Sequence, residues 1–131
     1  MRCLIVEDCD FVREMMELFL TDYADTDSTS NGEEAVALFS RALADGRPYQ
    51  LVCLDILMPG MNGQEALKKM RQAEATGGDA AQKAVIIMTT AINSREEMEE
   101  ALWQGECTDY LVKPIIFAEL VALMRKYNLI S

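Results

Sequence analysis

The chain has 131 residues, half of them hydrophobic, which is room for one domain with one sizeable core and is too apolar for a disordered segment. Its formal net charge of −10 would repel nucleic-acid phosphates, and no apolar run approaches the roughly 20 residues of a membrane span, so neither nucleic acid nor membrane is an expected partner. Histidine is absent, which removes imidazole catalysis, imidazole metal ligation and histidine phosphorylation within this chain.

Residues 2–6 read as a short strand, closed at once by Glu7 and Asp8; the run is too short and too acidic at its end for a signal peptide. Cys3, Cys9, Cys53 and Cys107 lack the spacing of a metal or redox motif. All four are expected to be reduced in a cytoplasmic protein, Cys3 and Cys53 as small core residues and Cys9 in a loop. Asp10 is placed to cap a helix over residues 11–22, whose Phe11, Val12, Met15, Met16, Leu18, Phe19 and Leu20 recur at helical spacing. The polar stretch that follows allows a weak edge strand near residues 25–29. Asn31-Gly32 turns the chain into a helix over residues 33–44, with Ala35, Val36, Leu38, Phe39 and Leu43 available for burial, and Asp45-Gly46-Arg47-Pro48 breaks it.

Leu51-Val52-Cys53-Leu54 then runs straight into Asp55, as in a strand buried on both faces, and Met58-Pro59-Gly60-Met61-Asn62-Gly63 can only be a loop. A helix over residues 63–75 and a Gly-containing connection lead to a second buried strand over residues 84–89, ending at Thr89-Thr90-Ala91. Ser94 caps a helix over residues 95–104, which Gly105 stops. A strand over residues 109–112, Lys113-Pro114 and a last helix over residues 116–127 complete the chain. Five strands alternating with five helices predict an α/β fold, a parallel sheet covered on both faces through right-handed crossovers, as a single domain over residues 1–131.

Parallel strands bring their carboxyl ends to one edge, where ligands of open α/β sheets bind. That edge collects Glu7 and Asp8, Asp55, Thr89 and Thr90, and Lys113. Two like charges about 5 Å apart cost roughly 3 kcal/mol at an effective dielectric of 20, so three carboxylates need a cation or raised pKa values. Oxygen-only ligands favour a hard, partly hydrated ion, Mg²⁺. One carboxylate, one divalent cation, one lysine and one hydroxyl make a phosphoryl-transfer site with the carboxylate as acceptor. A passive Mg²⁺ or Ca²⁺ site, or a lysine that merely pairs with Asp55, is the structural alternative.

Four segments, in this order and spacing, carry a resemblance: Leu4-Ile5-Val6-Glu7-Asp8, Leu54 through Gly63, Met88-Thr89-Thr90-Ala91, and Asp109-Tyr110-Leu111-Val112-Lys113-Pro114. With them the chain resembles the response-regulator receiver (CheY-like) family over essentially its whole length. The resemblance implies strand order 2-1-3-4-5 and a cis Lys113–Pro114 bond. It implies phosphorylation of Asp55 by a histidine kinase or phosphotransfer protein. By match of position, Asp8, Asp55 and the backbone carbonyl of Leu57 would bind Mg²⁺, with Glu7 acting through water. Thr90 and Tyr110 would be the switch residues, and Lys113 would grip the phosphoryl group.

Against the family pattern, one extra residue lies between Gly105 and Lys113, Ile115 stands where phenylalanine is common, and Leu123 replaces an arginine used in dimer salt bridges. The helix at residues 95–104 is acidic, with Glu96, Glu97, Glu99 and Glu100. The expected function is therefore a two-component receiver that is not itself an enzyme, with no output domain after Ser131. Its output would be an unknown protein or a homodimer formed through the fourth helix, the fifth strand and the last helix. In the last helix, Leu120, Val121 and Met124 should face the sheet and leave Leu123 and Phe117 as an apolar strip toward solvent. The alternative is a small Mg²⁺-dependent phosphatase with an aspartyl-phosphate intermediate. Such enzymes carry an acid two residues after the nucleophile, where this chain has Leu57. A flavin carrier would need a hydroxyl- and glycine-rich phosphate loop where Glu7-Asp8-Cys9-Asp10 stands.

Overall fold

The computed structural model describes residues 1–76, 83–91, 96, 99 and 106–131. Among them five parallel strands, β1 (Arg2–Val6), β2 (Asp25–Thr29), β3 (Leu51–Asp55), β4 (Val85–Thr90) and β5 (Asp109–Val112), form one sheet in the order β2-β1-β3-β4-β5. Four helices accompany them: α1 (Asp10–Leu20), α2 (Gly32–Ala44), α3 (Gly63–Thr76) and α4 (Phe117–Lys126). Of the helix expected at residues 95–104 only residues 96 and 99, both helical, are among the described residues; the rest lies outside them. No described helix is long and apolar enough to cross a membrane.

β1, β3 and β4 are buried on both faces, and side-chain alternation divides them between two cores. Leu4, Val6, Val52, Leu54, Ile86 and Met88 pack with α2 and α3 through Phe39, Leu67 and Met70. Cys3, Ile5, Leu51, Cys53 and Ile87 pack with α1 and α4 through Met16, Leu20, Leu120 and Met124. β3 and β4 contain no charge but Asp55, the last residue of β3, because any earlier carboxylate would enter one of these cores. β2 is different: Asp25-Thr26-Asp27-Ser28-Thr29 has little apolar content, and its place is set by register with β1, Arg2 opposite Asp25 through Val6 opposite Thr29. As an edge strand it keeps Asp25 and Asp27 exposed, and these charges discourage further pairing.

Helix ends follow capping chemistry where a capping side chain is present. Asn31 caps α2, its side chain accepting the Glu34 N–H at 2.7 Å. The cap of α1 differs from expectation. Cys9 is the N-cap, without a side-chain bond, and Asp10 is already helical; its carboxylate is taken by Arg13 instead of a backbone N–H. At the amino end of the sheet, Arg71 of α3 pairs with Glu74 at 2.7 Å and donates to the carbonyls of Ala84 and Glu106, tying α3 to the starts of β4 and β5.

On α4, Leu120, Val121 and Met124 are buried as expected. The apolar strip is not free, however. Phe117 stacks on Phe19 with ring centroids 5.0 Å apart, and Leu123 is half-buried against the core between α1 and α4. Helical spacing alone put these two toward solvent; Phe19 of α1 covers Phe117, and Leu123 packs against the edge of the core.

Candidate functional site

The strand order reverses between β1 and β3, so their helices leave on opposite faces and a crevice opens beyond their carboxyl ends. Glu7 follows β1 directly, its N–H donating to the Thr29 carbonyl at 3.1 Å. Asp55 ends β3 in register with Thr89 of β4. Carboxylate oxygens of Glu7, Asp8 and Asp55 all lie within 4.8 Å of one another; Glu7 and Asp55 are buried and Asp8 is exposed. Lys113, just past β5, enters the same crevice. Its Nζ is 2.7 Å from Glu7 Oε1 and 3.3 Å from Asp55 Oδ2. The Lys113–Pro114 bond is cis, as the resemblance implied.

Burial, together with the nearby Glu7 charge, pushes the Asp55 carboxyl up to about 7, against the Lys113 ammonium, which opposes both. Lys113 itself is raised. Burial alone would lower it, and its bonds to Glu7 and the charges of Asp55 and Glu7 outweigh that. The lysine thus serves as the resident counter-ion of the crevice, yet one cation faces three acids.

A hard divalent cation fits these residues. Three carboxylates converge from two strand ends, and Glu7 Oε1 is buried with the ammonium at ion-pair distance but no aligned hydrogen-bond donor. Such an oxygen is matched by a proton on a metal-bound water.

Thr90 is buried at the end of β4, and its hydroxyl donates to the Ala91 carbonyl at 2.9 Å, away from Asp55. Tyr110 is 36 % exposed on β5, where its strand position is opposite Met88. Leu57 points outward, 52 % exposed, while its N–H donates to Asp55 Oδ1 at 3.3 Å. The fold therefore brings Glu7, Asp8, Asp55 and Lys113 together, while the Thr90 hydroxyl is engaged by the Ala91 carbonyl and Tyr110 is partly exposed on β5.

Two residues in this neighbourhood escape a reading of sequence. Gly63 opens α3 against the end of β3, and a Cβ there would stand 2.2 Å from the Asp55 carbonyl oxygen. Asn62-Gly63 reads only as a turn, with nothing to signal the close approach. Arg13 donates to the Glu7 carbonyl at 2.9 Å, whereas at its spacing from Asp10 it reads as a solvated surface pair.

Compared with known proteins, residues 3–125 match the family model of the response regulator receiver domain. The chemotaxis protein CheY of Thermotoga maritima is 31 % identical over 129 residues, covering 97 % of each chain. The regulatory protein VanRB of Enterococcus faecalis is 34 % identical over 130 residues, 95 % of this chain and 53 % of that protein, so this chain spans about half the length of that relative. Among solved structures, the receiver domain of sensor histidine kinase PA1611 from Pseudomonas aeruginosa superposes with a TM-score of 0.78 at 26 % identity, covering 96 % of this chain and 95 % of that one. That structure is described with a magnesium ion coordinated in its active-site cleft.

Proposed function

The chain belongs to the response regulator receiver domain family, and on that premise we propose that Asp55 is the phosphoacceptor of a two-component signalling protein. The 131 residues form one receiver domain, which takes its phosphoryl group from a histidine kinase or phosphotransfer protein in the cytoplasm. The observation that carries this reading is the juxtaposition of Glu7, Asp8, Asp55 and Lys113 at the reversal of strand order. A lysine paired to Asp55 for stability alone would not need two further acids beside it.

Asp8, Asp55 and the Leu57 carbonyl would hold Mg²⁺, with Glu7 acting through water. When bound, the ion supplies neutralisation of the charge on the incoming phosphoryl group. An Asp55 carboxylate oxygen attacks phosphorus in line while the bond to the donor's nitrogen or oxygen breaks. The Lys113 ammonium leaves Glu7 to meet the phosphoryl oxygens, a short step for a flexible side chain already 2.7 Å from one acid and 3.3 Å from the other. The product adds nearly two negative charges at Asp55. Thr90 then turns its hydroxyl from the Ala91 carbonyl toward those charges, and the half-exposed Tyr110 moves into the space released. The surface of β5 and α4 changes with it, and an output protein or a second copy reads the change.

Incubation with acetyl phosphate and Mg²⁺, followed by intact-mass spectrometry, tests this. One phosphoryl group is expected on the parent and none on Asp55→Asn; equal labelling of the two would sink the assignment.

A further inference from the structure

The loop from Glu7 to Asp10, which carries two of the three clustered acids, has few bonds of its own. Asp8, Cys9 and Asp10 are all exposed, and Cys9 caps α1 without a side-chain bond. The Cys9 N–H donates to Glu7 Oε2 at 3.1 Å. Glu7 is also held by the Thr29 carbonyl and by Lys113, and the further ties of the loop come from one residue a turn into α1. The Arg13 N–H donates to the Cys9 carbonyl at 2.9 Å, its Nη1 to the Glu7 carbonyl at 2.9 Å, and its Nη2 to Asp10 Oδ1 at 2.6 Å. One rigid guanidinium therefore grips the residue before Asp8 and the second residue after it. A planar fork holds such geometry, and an ammonium does not. The side chain is only 18 % exposed, and a solvated pair with Asp10 would account for one of its two bonds, leaving the bond to the Glu7 carbonyl unexplained.

We infer that Arg13 is a positioning residue: its clamp on the Glu7 carbonyl and the Asp10 carboxylate fixes the loop with Asp8 facing Asp55, and so raises the affinity of the acidic cluster for a divalent cation that Arg13 does not touch. The inference rests on the cation-dependent reading of that cluster. The sign of the effect separates a clamp from a mere charge. As a positive group close to the acids, Arg13 repels a cation, so on charge alone its removal would tighten binding. As a clamp, its removal loosens the loop and weakens binding.

The test titrates Mn²⁺, which shares the oxygen-ligand preference of Mg²⁺, into the full chain while free ion is read by electron paramagnetic resonance. Parent, Arg13→Met and Arg13→Lys are compared, with urea unfolding of the metal-free proteins beside them. Partners that orient a ligand typically contribute 10- to 100-fold to metal affinity, and a partner of the backbone belongs at the lower end, so Arg13→Met is expected to bind about tenfold more weakly. Arg13→Lys keeps the charge but reaches one acceptor, and should recover only part of the loss. Unchanged or tighter binding by Arg13→Met, or full parental affinity in Arg13→Lys, would overturn the clamp. Should Arg13→Met not fold, Arg13→Lys decides by itself: weaker binding than the parent supports the clamp, parental affinity refutes it. A parent that binds no Mn²⁺ would overturn the cation reading and the clamp with it, whereas a parent that binds and an Arg13→Met that binds equally overturns the clamp alone.

Discussion

Replacing Asp55 by Asn in metal-free buffer should change how stability depends on pH, and by an amount the crevice sets. Burial and the Glu7 charge raise the Asp55 carboxyl from an ordinary 3.8 to about 7, against the pull of Lys113. The folded chain thus holds this proton more tightly than the unfolded chain does. Between the two values the native state binds more protons, so stability falls as pH rises from near 4 to near 7, and is level outside that window. At 1.36 kcal/mol per unit, a shift of roughly three units corresponds to at most about 4 kcal/mol. Asn cannot ionise and removes this dependence, and Lys113 is not stranded, because Glu7 remains 2.7 Å away. Urea unfolding of both proteins at pH 4.5 and pH 8 in the presence of chelator measures the difference. Contributions common to the two proteins cancel in the comparison. The Asn variant should gain about 2–4 kcal/mol on the parent between the two pH values. Mg²⁺ at ten times its dissociation constant should return about 1.4 kcal/mol to the parent and nothing comparable to the variant. Parallel pH profiles for the two proteins would refute the crowding of charge on which the site is built.

Leu57, 52 % exposed two residues after Asp55, offers no hydrogen bond to a water approaching the phosphoryl group. Leu57→Asn should therefore lose its phosphate several-fold faster than the parent after labelling with acetyl phosphate, and equal or slower release would count against a shielding role. Gly63→Ala forces a methyl group against the Asp55 carbonyl and the Ile56 Cα, both backbone atoms that cannot swing aside. It should lower the urea midpoint by the equivalent of about 1–3 kcal/mol and slow phosphorylation, since the strand end carrying Asp55 is what must move; a parental midpoint would mean that the start of α3 yields instead.

The central sheet was legible in the residues themselves. Leu4-Ile5-Val6 and Leu51 through Leu54 are continuous apolar runs, and only a strand covered on both faces makes use of both sides of such a run. Each is stopped by an acid, so Glu7 and Asp55 could be placed at strand ends before any coordinates. Parallel connection then requires those ends to share an edge with Lys113. Composition alone excluded imidazole chemistry, and the order of the motifs identified the family. The polar stretch allowed only a weak edge strand near residues 25–29; the tertiary structure made it β2, because β1 offers a free row of backbone donors and acceptors to five residues that hold no periodic signal. It also decided that Phe117 is covered by Phe19 and Leu123 is half-buried, that Arg13 reaches back to the Glu7 carbonyl, and that Gly63 has room for no side chain. Each of these depends on a distance between segments that the local pattern of residue types does not encode. The same holds for the charge state of Asp55. A carboxylate's position can be read from the chain, but its pKa follows from the water that folding removes and from the neighbours that folding supplies.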